Sequence, residues 1–532
     1  MRLNDKALQD TNKWELAGVA LPRFDRKAAA AATESAPVWL HFGAGNLFRA
    51  FPALVMQKLL ELGLESRGII VAGGEIIEKI FIPHDNLTLL VTLKANGTIE
   101  KTVIASIVGS LKFEDGSDAS KLADVFAKES LQIVSFTITE KGYALKGADG
   151  NFLPDVEHDL KEGHNRPISY MGKITALLYK RYLAGGHPLA MLSMDNCSQN
   201  GTRLHAAIST FARIWEENGL TDSEFANYIN DSSRISFPWS MIDKITPRPD
   251  ESVAAMLGSD GFKDTGLVTT SKNSYAAPFV NAEEAQYLVI EDAFPNGRPA
   301  LEKAGVLFAD RATVEKVEKM KVCTCLNPLH TALAVFGCLL GYTKISDEMK
   351  DPQLVRLVES IGCKEGLPVV VDPGIIDPKA FIAEVLNIRL PNPFMPDTPQ
   401  RIACDTSQKV PIRFGETIKA YAQKNMDITS LRAIPLVLAA WCRYLLGVDD
   451  EGNKFTPSPD PMLSVLQSHL DGVTLGNTSG CRDKLRPILS NPVYFGVDLY
   501  AAGLGETVED LFIKMTSAPK AVRKALSEFA DA

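Results

Sequence analysis

Residues 37–74 constrain this chain more than any other stretch. VWLHFGAGN is a short apolar run ending in Gly43-Ala44-Gly45. FRAFPALVMQKLLELG then repeats apolar residues at helical spacing, and GIIVAGG is a second apolar run. Strand, glycine turn, helix, strand is the opening of a doubly wound nucleotide-binding fold. Gly43 permits a tight turn, Gly45 lets backbone approach a pyrophosphate, and Asn46 beside them is a candidate cofactor contact. Phe48 stands where G-x-G-x-x-G has its third glycine, so the reading rests on the position of the turn between a strand and a helix.

The alternation continues through TLLVTLK, the run TVIASIVGSLKF, a helix around 118–129 and the strand LQIVSFTIT. That strand stops at Thr139-Glu140-Lys141-Gly142-Tyr143. Ligands sit at the carboxyl ends of strands in an open sheet, so Thr139 and Glu140 are expected to border a cofactor crevice. A helix over 170–184 leads to the strand PLAMLSMD, which closes on Asp195-Asn196-Cys197-Ser198-Gln199-Asn200-Gly201. Such a polar cluster serves equally well as a turn. A helix over 203–217, a loop containing SFPWSMIDKITPRP and a strand near 286–291 follow. The second strand ends in Gly73-Gly74-Glu75. An acid there binds a ribose diol and repels a 2′-phosphate, which favours NAD, although Glu75 also fits the first turn of a helix.

From about residue 300 the pattern is mainly helical: 311–320, 328–341, 352–361, 378–386, 412–423, 427–446, 461–471 and 508–530. Pro and Gly punctuate 291–299, which places a boundary near 295. The expectation is an α/β Rossmann-like domain over 1–295, an all-helical domain over 296–532, and a ligand cleft between them. A chain of 532 residues exceeds what one hydrophobic core usually supports, in keeping with two domains.

Lys321-Val-Cys-Thr-Cys-Leu-Asn-Pro-Leu-His330 brings an ammonium, a carboxamide and an imidazole into an otherwise apolar helical stretch. Buried polar groups must be hydrogen-bonded, so three together need a purpose. Lysine as base, Asn327 as donor to an oxyanion and His330 as a hydroxyl holder read as a site that moves a proton on an alcohol or ketone. A capping Asn and a satisfied core His would look the same. Cys323, Cys325 and His330 lack the second half of a zinc site, so no metal is expected.

The net charge of −9 argues against nucleic acid or an anionic membrane as partner. The polar start MRLNDKALQDTNKWELAG and the lack of an unbroken run of 18 apolar residues suggest neither a signal peptide nor a membrane span. Eight scattered cysteines fit reduced thiols in a cytoplasmic protein. Oligomeric state is open.

Several segments resemble the polyol-specific long-chain dehydrogenases, the mannitol dehydrogenase family. They are HFGAGNLFRAF (41–51), HDNLTLLVT (84–92), TITEKGY (137–143), SMDNCSQNG (193–201), SFPWSMIDKITP (236–247), VIEDAFPNGRP (289–299), the Lys321–His330 segment and RIACDTSQKVP (401–411). They run in the family's order from about 37 to 415. The resemblance implies a metal-independent, NAD-linked oxidation of a secondary alcohol beside other hydroxyls. It implies Lys321 as general base, Asn327 and Asn196 as amides stabilising the alkoxide, and His330 on the substrate near the reacting carbon. Arg401 and Lys409 fall on positions for the far hydroxyls or a carboxylate, and Asp243 resembles a proton-relaying acid at the site's edge.

One spacing departs from the family. Asn327 follows Lys321 by six residues instead of five, so on a regular helix Lys321 points about 180° from His330. A π-bulge absorbing one residue would restore it. Lys319 shares the face of His330 but lies about 16 Å along the axis. The substrate is a sugar acid or a polyol. Arg401, Lys409 and Arg413 suit a hexonate carboxylate, unless they pair with Asp397 or Asp405. The wording CLNPLHTALAVFGCLLGY resembles family members acting on mannonate, so fructuronate–mannonate interconversion is expected. Mannitol oxidation, tagaturonate reduction and NAD(H) sensing without turnover are the alternatives.

Overall fold

The computed structural model describes residues 1–271 and 275–531. They form two compact units, 1–94 with 98–315, and 316–532 with 95–97. The first is built on six parallel strands: β1 (Trp39–Phe42), β2 (Ile69–Gly73), β3 (Ile107–Lys112), β4 (Ile133–Phe136), β5 (Leu189–Ser193) and β6 (Ile235–Ser236). Their order is β3-β2-β1-β4-β5-β6, the doubly wound arrangement. Every residue of β1, β2, β4 and β5 is buried, which is why these segments read as unbroken apolar runs. Trp39 faces one core while Leu40 and Phe42 face the other, with Leu59 of α1 (Pro52–Glu61) on the first side. Leu178 of α2 (Tyr170–Leu183) and Phe211 of α3 (Asn200–Glu217) lie on the second. Strand order reverses between β1 and β4, so the loops after these two strands flank the switch point where such sheets bind ligands.

Two expectations about strands are corrected. TLLVTLK and TVIASI do not join the parallel sheet: Thr88–Leu93 pairs antiparallel with Ile99–Ile104, and Val19–Ala20 and Phe279–Ala282 complete a separate four-stranded sheet. The segment expected as a loop at 236–249 contains a strand, Ser240–Asp243, antiparallel to Tyr287–Glu291. Tyr287–Glu291 pairs parallel with Leu307–Ala309, which packs residues up to 309 with the first unit.

The second unit is helical. Its centre holds α4 (Asn327–Leu340), α5 (Ile345–Glu348), α6 (Ala433–Tyr444) and α7 (Gly505–Thr516), with α6 packed on both α4 and α7. Every residue of α6 is buried, as for a helix apolar all round. The continuous helical run 311–340 has the length and composition to cross a bilayer, but most of it is buried inside the protein as a core helix is. The helix expected over 508–530 is broken after Thr516 at Ser517-Ala-Pro-Lys520, where Lys520 adopts φ +68°. Residues 427–432 of the expected 427–446 helix instead hold a 3-10 turn capped by Asp427. Among the described residues of this unit, π-helical turns occur at Lys321–Cys325, Ser360–Gly366, Val385–Arg389 and Pro411–Gly415.

Candidate active site

The turn after β1 explains its own glycines. Gly43 sits at φ +111°, and a Cβ there would lie 2.2 Å from the Thr137 carbonyl oxygen, so only glycine lets β1 pass β4 this closely. An added Cβ at Gly45 meets nothing within 4 Å, leaving its backbone open on one side. The missing third glycine has a packing reason. Phe48 is fully buried and stacks on His41 at 3.9 Å, and the helix that begins at Asn46 ends at Ala50 before α1 takes over. His41 itself lies 2.6 Å from Ser135 Oγ and 2.9 Å from Thr137 Oγ1. Burial, partly offset by the Gly43 backbone, pushes its imidazole down to about 3, so it is neutral. Asn46 Nδ2 donates to Pro247 O, and its Oδ1 accepts from Arg49, a fully buried cation whose guanidinium burial lowers to about 9.

Glu75 is engaged locally. Lys79 Nζ is 2.6 Å from its carboxylate, and Ser271 donates from its backbone N–H and its hydroxyl. These partners, Lys79 foremost, hold the carboxyl down to about 2. Thr139 is at φ +67°, and Glu140 is exposed and ion-paired with Arg203 at 2.9 Å. Asn196 is exposed on the turn after β5. Asp195 and Asn200 in the same turn are buried and hydrogen-bonded, Asp195 to the backbone N–H groups of Ile138 and Thr139 and to the Tyr143 hydroxyl, and Asn200 to Ser240 and Gly201. Asp243 is buried at the end of its strand, opposite Tyr287.

In the second unit, Lys321 is 4% exposed and opens the π turn. Its carbonyl accepts from Leu326 N at 3.1 Å, the i→i+5 pattern. Absorbing one residue turns Lys321 from about 180° to about 80° from His330 around the helix axis. Lys319 lies on the regular helix before that turn. Asn327 is the first residue of α4, and its carbonyl accepts from Thr331 Oγ1 (3.0 Å) and Arg413 (3.4 Å). Arg413, carried by another π turn, also donates to Thr331 Oγ1 at 2.5 Å, and burial lowers its guanidinium to about 10.

Asp397 gathers two of the predicted residues. Its carboxylate lies 3.4 Å from His330 Nε2 and pairs with Arg401, so Arg401 adopts the Asp397 pairing that the sequence left open. Burial works to raise the Asp397 carboxyl, but His330 and Arg401 outweigh it and hold it below the usual range. Lys409 Nζ donates to the carbonyls of Ile402 (3.0 Å) and Cys404, and burial, then Arg413, lowers its ammonium. Together these groups form a cation-rich face with one bridging carboxylate, suited to a hydroxylated anion.

Sequence reasoning missed Asp195, Tyr143, His41 and the bridging role of Asp397. Each acts through a contact dozens of residues away in sequence; the signals on offer were the placement of Asp195 and Tyr143 at the ends of strands and the candidate pairing of Asp397 with Arg401.

Two family models match the chain: the mannitol dehydrogenase Rossmann domain over residues 38–303 and the mannitol dehydrogenase C-terminal domain over 313–509. A D-mannonate oxidoreductase of Thermotoga maritima is 52% identical over 99% of both chains. A D-mannonate oxidoreductase of Escherichia coli is 30% identical, covering 80% of this chain and 84% of that one. Among solved structures, Pseudomonas fluorescens mannitol 2-dehydrogenase, in a ternary complex with NAD and D-mannitol, superposes with a TM-score of 0.71 at 27% identity, each chain covered in full.

Proposed function

Since this chain belongs to the mannitol dehydrogenase family, we propose that it is an NAD-dependent oxidoreductase interconverting D-mannonate and D-fructuronate. Full-length likeness to a mannonate oxidoreductase carries the substrate assignment. The cation-rich face of Arg401, Lys409 and Arg413 supports it, because a hexonate brings a carboxylate that mannitol lacks. The Gly43–Asn46 turn, with its open backbone at Gly45, fits a dinucleotide pyrophosphate, and the loop bearing Thr139–Glu140, with Glu75 in the first helical turn after β2, extends that cradle. Bound there, NAD supplies the acceptor for the hydride leaving the carbinol carbon.

The chain's own residues handle the proton and the charge. Lys321 Nζ takes the hydroxyl proton in oxidation and returns it in reduction. The amides of Asn327 and Asn196 donate to the alkoxide oxygen as its charge develops. His330, steered by Asp397, holds the hydroxyl next to the reacting carbon, and Asp243 relays protons at the site's edge. The eight cysteines are free thiols, which supports a cytoplasmic setting.

The test is NADH oxidation by the purified protein with D-fructuronate, D-tagaturonate and D-fructose side by side, with Lys321→Ala as control. Preference for fructuronate, abolished by the substitution, is expected. Preference for fructose would make the protein a mannitol dehydrogenase, and preference for tagaturonate would reassign the sugar acid. NADH binding without turnover of any substrate would make it a sensor. Full activity of the variant would move the base elsewhere, with Lys319 next to be tested.

A further inference from the structure

Asp195 ends the run that follows β5, one residue before Asn196, yet its carboxylate is spent on a different loop. Oδ2 accepts from Ile138 N (2.9 Å) and the Tyr143 hydroxyl (2.5 Å), and Oδ1 accepts from Thr139 N (2.8 Å). Tyr143 Oη lies 2.8 Å from Ser193 Oγ, closing a buried network between the ends of β4 and β5. Thr139, held by this carboxylate, stands at φ +67°. A β-branched residue rarely adopts that conformation, and it persists only where its surroundings over-determine it. On the far side of Asn196, the buried Asn200 amide donates within 3.2 Å to the carbonyls of Ser193, Asp195 and Ser240. The exposed Asn196 therefore rides on a short span pinned at both ends.

We propose that Asp195 is a positioning residue: its one carboxylate locks the loop after β4 to the loop after β5, so that cofactor binding and the placement of the Asn196 amide depend on the same group. This rests on the dinucleotide reading given above. The chemistry demands a carboxylate, because both oxygens only accept and three donors converge on them. An amide of the same shape would turn an NH2 toward a donor, leaving a part-buried backbone N–H without its acceptor and releasing the strained turn at Thr139.

The test compares wild type, Asp195→Asn and Tyr143→Phe by NADH fluorescence titration, steady-state kinetics with D-fructuronate and thermal melting. Asp195→Asn is expected to raise the NADH dissociation constant about tenfold and to lower kcat by at least that factor, with KM for the sugar acid within about twofold of wild type. Tyr143→Phe removes one donor of three and is expected to weaken NADH about threefold while lowering the melting point by no more than a few degrees. Wild-type NADH affinity and kcat in Asp195→Asn would overturn the proposal, as would a change confined to the sugar-acid KM. If Asp195→Asn does not fold, Tyr143→Phe decides: weakened NADH binding supports the lock and unchanged binding refutes it. Wild type that binds NADH but reduces no sugar refutes only the substrate reading, and the titrations still decide on Asp195. Wild type that binds no NADH refutes both.

Discussion

Glu348, the last residue of α5, is fully buried, and neither carboxylate oxygen has a hydrogen-bond partner among the described residues. Gly337 of α4 makes the room: a Cβ there would lie 2.3 Å from Glu348 Oε1. Burial, with Asp351 adding to it, pushes this carboxyl from 4.5 up to about 10, so the folded protein holds it protonated. The folded value lies above the unfolded one. Its contribution is therefore complete below pH 4.5 and is lost as pH rises toward 10, because the unfolded chain releases a proton that the folded one keeps. The loss is about 1.4 kcal/mol per pH unit, or about 4 kcal/mol between pH 5.5 and 8.5. That is a large share of a typical stability of roughly 5–15 kcal/mol. Glu348→Gln keeps the shape and cannot ionise. An unsatisfied amide shifts its stability by a pH-independent amount, so the slope isolates the ionisation. Urea unfolding of both proteins at several pH values from 5.5 to 8.5 should show the variant gaining about 4 kcal/mol on wild type across the range. Curves that stay parallel to within about 1 kcal/mol would refute the claim that the fold keeps this carboxyl neutral.

His41 gives the opposite dependence. Its folded value of about 3 lies below the ordinary 6.5, so stability is full above pH 6.5 and falls on acidification, by about 2 kcal/mol at pH 5; His41→Gln should flatten this limb in melting curves taken from pH 7 to 5. Gly43→Ala drives a Cβ into the Thr137 backbone and should cost more than about 2 kcal/mol, read as a lower melting point together with lost NADH binding. Asp397→Asn removes the carboxylate that bridges His330 and Arg401 and should raise the KM for the sugar acid about tenfold while leaving the NADH KM unchanged; equal changes in both would disconnect this pair from substrate.

The doubly wound half was legible because its strands are buried on both faces, which leaves apolar runs in the sequence around 39–42, 69–73, 133–136 and 189–193. Ser240–Asp243 escaped notice because a four-residue strand beside Pro238 carries too little periodicity to distinguish it from a loop. The break at 517–520 hid inside a pattern that stays helical on both sides. Lys321 stands out by its company, Asn327 and His330, and the one-residue excess over the family's spacing is legible as the π turn that the structure has at Lys321–Cys325. Asp397 could not be assigned in advance, since pairing it with His330 requires knowing how a chain 67 residues long folds back. Asp195 looked like a turn former, and it is one, but its carboxylate serves the neighbouring loop.

A π turn is a helix that has taken in one residue more than its neighbours need, and the extra residue leaves both flanking segments where they were. In the second unit such turns carry Lys321, Arg413 and Glu365, the last accepting from the first three backbone N–H groups around the start of α6. The count of residues between two chemically important side chains is thus a poor ruler in this protein. A search pattern that places its asparagine five residues after its lysine would pass over this chain, while one that asks what faces what would not. Deleting a single residue from 322–325 would restore a regular turn and leave Lys321 facing as it does, whereas regularising the turn with every residue kept would swing Lys321 by about 100° about the helix axis. Facing, and not length, is what such a turn holds constant.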